Sequence, residues 1–64
     1  MNAEQRRAMD IETAERLRDT IAHNSAYIRE RLAAGESAQA LSGVMHMNAE
    51  LKREFQKYKR YLES

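Results

Sequence analysis

Two pairs of side chains have a spacing that suits metal binding. Asp19 and His23 are four residues apart, and so are His46 and Glu50. On a helix each pair would present two ligands on one face. The heptad register developed below places both pairs at outer positions and on opposite outer surfaces. A four-ligand site within one chain is therefore not expected, and the two histidines read as solvent-facing side chains.

Nucleophilic chemistry has no anchor. The chain has no cysteine, which removes disulfides and thiolate ligands. Ser25, Ser37, Ser42 and Ser64 lack the glycine-flanked turn of a nucleophile elbow. No glycine-rich phosphate loop exists, because Gly35 and Gly43 are the only glycines. The expectation is a protein that is not an enzyme and carries no catalytic residues, no cofactor and no metal.

The basic residues are more suggestive. Lys52 to Tyr61 holds five positive charges and one negative, in a chain whose net charge is only +1. Arg18, Lys52, Arg53, Lys59 and Arg60 gather toward one side of the termini end, where they could meet phosphates or an acidic protein surface. An ordinary solvated helix face explains the same cluster, since cations in the last turns of a helix interact favourably with its dipole. Glu12 with Arg16 and Glu15 with Arg18 have the spacing of surface pairs that would cancel part of the charge.

The elements that carry these residues are legible. There is no proline, and Ala, Glu, Arg, Leu, Gln, Lys and Met dominate, all good helix formers. Asn2 and Gln5 have the spacing of a capping box, so a first helix is expected over about residues 3–34. Gly35 offers the left-handed conformation that ends helices. Ser37 has the character of an N-cap, so a turn over about 35–37 leads into a second helix over about 38–62. Gly43 argues against so early a start, because glycine inside a helix costs about 1 kcal/mol relative to alanine. No apolar run approaches a membrane span or a secretory signal, and a cytoplasmic protein that does not engage membranes is expected.

Leu41, Val44, Asn48, Leu51, Phe55, Tyr58 and Leu62 recur at three- and four-residue spacing, which is a heptad seam. Ala14, Leu17, Ile21, Asn24, Ile28 and Leu32 form its counterpart in the first helix. If the chain folds back at Gly35, facing pairs should have nearly constant number sums. Ile28 with Val44, Asn24 with Asn48, Ile21 with Leu51, Leu17 with Phe55 and Ala14 with Tyr58 all add to 72, and Leu32 with Leu41 adds to 73. The 64 residues are thus expected to form one all-α antiparallel hairpin, with Asn24 and Asn48 facing each other as a layer that sets the register.

A chain of 64 residues has too small a core to be comfortable alone. Apolar character also spills beyond the seam. Tyr27, Ala34, Ala40, Met47 and Tyr61 lie along one flank, and Leu32, Ala38 and Met45 along the other near the loop. Small residues allow close helix approach and methionine adapts to irregular surfaces. The expected assembly is a four-helix bundle, made as a homodimer or with a larger protein partner. The functional expectation is a small interaction module: an accessory, inhibitor or chaperone-like regulator of phage or plasmid type, an assignment by analogy of fold. The alternative is a dimeric bundle that binds nucleic acid through the basic face.

Overall fold

The computed structural model describes residues 2–63 and shows two helices joined by a turn. Helix α1 spans Ala3–Ala33, helix α2 spans Ser42–Tyr58, and a 3₁₀ turn over Lys59–Leu62 completes the second arm. Among the described residues there is no strand. The arms pack antiparallel into a rod of 49 × 16 × 15 Å, whose long dimension is set by the 31 residues of α1.

Helix α1 starts where its capping box predicts. The Asn2 Oδ1 accepts from the Gln5 amide at 2.8 Å, and the Gln5 Oε1 accepts from the Asn2 amide at 3.2 Å. Its end is a Schellman motif. Gly35 takes φ +99°, its amide donates to the Leu32 carbonyl at 3.0 Å, and the Glu36 amide donates to the Arg31 carbonyl at 3.0 Å. A Cβ at Gly35 would meet nothing within 4 Å, so only the backbone conformation demands glycine there. Gly35→Ala should therefore lower stability by about 1–2 kcal/mol, the strain of an L-residue in the left-handed region. Thermal melts of the two proteins check this value.

The Arg31 guanidinium straddles the same turn. Its Nε donates to the Glu36 Oε2 at 2.6 Å and its terminal nitrogen to the Oε1 at 3.0 Å. The hydrogen bonds and charge of Arg31 hold the Glu36 carboxyl below the usual carboxylate range, and Arg31 is raised in return. A depressed carboxyl contributes stability that is complete above its unfolded value and disappears as pH falls through the folded one. Melts from pH 7 to pH 2 should show wild type above Glu36→Gln at neutral pH, with the two curves merging in acid. The exposed position of this pair makes the difference small and sensitive to salt.

The second helix begins later than its sequence suggests. Residues 38–41 form tight turns, with the Leu41 amide donating to the Ala38 carbonyl and the Ser42 amide to that of Gln39. Ser37 does cap, but it caps this turn: its Oγ accepts from the Ala40 amide at 3.1 Å. The reason is geometric. Packed helix axes lie about 8–10 Å apart, and the chain must cross that gap before α2 can start. The crossing drives Leu41 into the top of the hairpin, where it is 4% exposed. Ala38 and Ala40 are consequently exposed turn residues and not part of α2.

Ala14 is fully enclosed, and Leu17, Ile21, Ile28, Val44, Leu51, Phe55, Tyr58 and Leu62 are each half-buried along the seam. Among the described residues no large side chain is completely buried. The far end of the second arm falls opposite residues 10 and 11, so Ala3 to Met9 are all exposed.

Candidate functional site

Asn48 is the polar centre of the hairpin. It is 4% exposed, and its Nδ2 donates to the Ser25 Oγ at 3.1 Å. Its Oδ1 is buried with no hydrogen-bond partner. The cross-helix bond thus runs to Ser25 and not to Asn24, the partner the number sums predict. Asn24 is half-buried beside it. Ser25 with Asn48 adds to 73, the value for Leu32 with Leu41, so the seam of α1 is turned by one residue at this layer. A straight helix drifts about 20° per heptad against a strict seven-residue repeat, which is enough to exchange neighbouring positions. Ser25 has no apolar character and escapes a search for the seam; only its adjacency to Asn24 points to it.

Apolar exposure is uneven. Met9 (51%), Tyr27 (44%), Leu32 (40%) and Met47 (56%) stand in solvent. Tyr27, Leu32 and Met47 were expected at an interface from the sequence, while Met9 falls outside the predicted set. Ala34, the C-cap of α1, is also exposed. Met45 and Tyr61 are half-buried within the hairpin. For Tyr61 the cause is the 3₁₀ turn, which eclipses residues three apart and returns its ring toward Tyr58, with centroids 6.3 Å apart.

The basic cluster is partly neutralised. Arg18 Nε pairs with Asp19 at 3.1 Å, not with Glu15; Arg16 pairs with Glu12 at 3.3 Å as expected. Arg53 pairs with Glu50 at 3.1 Å and Lys57 with Glu54 at 3.3 Å. Lys52 and Lys59 have no carboxylate partner among the described residues. Arg60 turns to Tyr61: its guanidinium lies 5.1 Å from the ring centroid and donates to the phenol oxygen at 3.2 Å, which raises Arg60 above its ordinary value. Arg7, Ile11, Arg60 and Tyr61 line a shallow open depression at this end.

Both histidines are exposed. His46 Nε2 lies 3.8 Å from Glu50, which Arg53 already engages, and His23 is exposed on α1. Among the described residues no three His, Cys, Asp or Glu side chains cluster to hold a metal ion. No helix among them is long and apolar enough to cross a membrane.

The fold and these surfaces define a two-helix α-hairpin with one polar core layer and an apolar flank open to solvent. No protein-family model, curated protein or solved structure matches the chain.

Proposed function

We propose that this protein is a small non-enzymatic interaction module that works in the cytoplasm through its helical faces, completing a four-helix bundle with a protein partner. In biological role it would be an accessory, inhibitor or chaperone-like regulator. One observation carries the reading: Met9, Tyr27, Leu32 and Met47 remain in solvent while no large side chain among the described residues is fully enclosed. A lone hairpin of this kind leaves much of its hydrophobic driving force unused, and association supplies it. Far-ultraviolet circular dichroism and thermal melts across a thousandfold range of protein concentration test it. Helicity and melting temperature that rise with concentration, or on adding a purified partner, are expected. A cooperative melt that is independent of concentration would refute the reading.

A second reading rests on the cations. Lys52 and Lys59, without a carboxylate partner among the described residues, and Arg60 share the termini end with Arg18 and Arg53. A bundle could lay this face on phosphates of a nucleic acid. Phosphate contacts are strongest at low salt, so titration of short DNA and RNA duplexes at 20 mM salt decides it. Absence of binding under those conditions eliminates this reading.

A further inference from the structure

We infer that the partner covering the Tyr27–Met47 flank is a second copy of this chain. The inference rests on the interaction-module reading above and names its partner. The first observation is area. A compact monomer of 7.5 kDa exposes about 4,250 Å², whereas this chain exposes 5092 Å². The excess, roughly 850 Å², is close to the ~800 Å² that each subunit buries in a standard interface.

The second observation selects the face. Met9, Thr13, Thr20 and Tyr27 are spaced four and seven apart and line one side of α1. Tyr27 and Met47 sit at one level of the antiparallel hairpin, since their numbers add to 74. Gly43 lies one turn before Met47, in the first turn of α2. A Cβ there would meet nothing within 4 Å and its φ is not positive, so neither packing nor backbone of the single chain demands glycine. A neighbouring helix that approaches closely at Gly43 would demand it. This flank also carries both signs of charge, Arg31 on α1 and Glu54 on α2, each already paired.

The opposite flank is unsuited to self-association. Below the exposed Leu32 near the turn, Arg18 and Arg29 on α1 and Lys52 and Lys59 on α2 line it, and of these four cations only Arg18 has a carboxylate partner among the described residues. A two-fold contact sets a surface against its own image. Through that flank it would bring these cations together, and like charges facing one another oppose association. The lysine flank therefore stays open and the Tyr27–Met47 flank closes.

Sedimentation equilibrium on the full chain tests this with three variants. Wild type should be a dimer at tens of micromolar. Met47→Glu should weaken the dimer by ~30-fold or more, as loss of a buried interface anchor does. Gly43→Ala, which the single chain accommodates, should weaken it by ~10-fold without lowering the helicity of the residual monomer. Lys52→Glu should leave the dimer intact. A wild-type dimer unmoved by both Met47→Glu and Gly43→Ala would overturn the face and the inference. A wild-type monomer that is poorly helical alone would overturn the second copy while the broader reading stands. A well-folded monomer with a concentration-independent melt would overturn both.

Discussion

Asn48→Leu should raise the melting temperature of this protein, and Ser25→Ala should lower it. Asn48 is enclosed with its Oδ1 unpaired and its Nδ2 held by Ser25. An unsatisfied buried polar atom costs about 1–3 kcal/mol. Leucine removes both polar atoms and adds apolar surface at the centre of the seam. The freed Ser25 hydroxyl is half-buried and can turn to the carbonyl one turn back on α1. Ser25→Ala does the reverse: it strips the one hydrogen bond Asn48 makes across the hairpin and leaves two unsatisfied groups in place of one. The two variants should thus differ by about 2–5 kcal/mol, which for a chain of this size separates their melting temperatures by about 10 °C or more. In the double variant the Ser25 change should become nearly neutral, because the group it served is gone. Denaturant melts of all four proteins measure the coupling. Equal effects of Ser25→Ala in the two backgrounds would show that the bond carries no energy.

The next largest effect is expected at Ala14→Leu. Ala14 is fully enclosed, and it follows by three residues Ile11, which shares a depression with Arg60 and Tyr61 at the end of the second arm. Its small side chain lets the half-buried Tyr58 and the 3₁₀ turn lie close to α1. Three added carbons have nowhere to go without parting the arms, and overpacking of this kind costs about 1–3 kcal/mol. The loss should be local. Hydrogen exchange should accelerate over residues 55–62 and the start of α1, while the Schellman turn at Gly35 stays protected. Ala14→Ser, which keeps the volume, should preserve the contact and melt above Ala14→Leu.

The arrangement of the hairpin was legible in the residues because its determinants are local or periodic. The Asn2–Gln5 capping box, the left-handed Gly35 and the three–four spacing from Leu41 to Leu62 each act over at most two turns of chain. Constant number sums then follow from folding two such stripes together. Three features needed the assembled molecule. Helix α2 starts at Ser42 because the chain must bridge the gap between packed axes and bury Leu41 on the way. Asn48 meets Ser25 and not Asn24 because a small rotation of α1, below what a heptad pattern resolves, exchanges neighbouring positions. Tyr61 turns inward because the last turn winds as 3₁₀. The apolar flank lies between these cases. Its residues can be found by spacing, but separating the exposed Tyr27 and Met47 from the half-buried Met45 and Tyr61 takes the crossing of the two arms, since burial depends on which surfaces the other helix reaches.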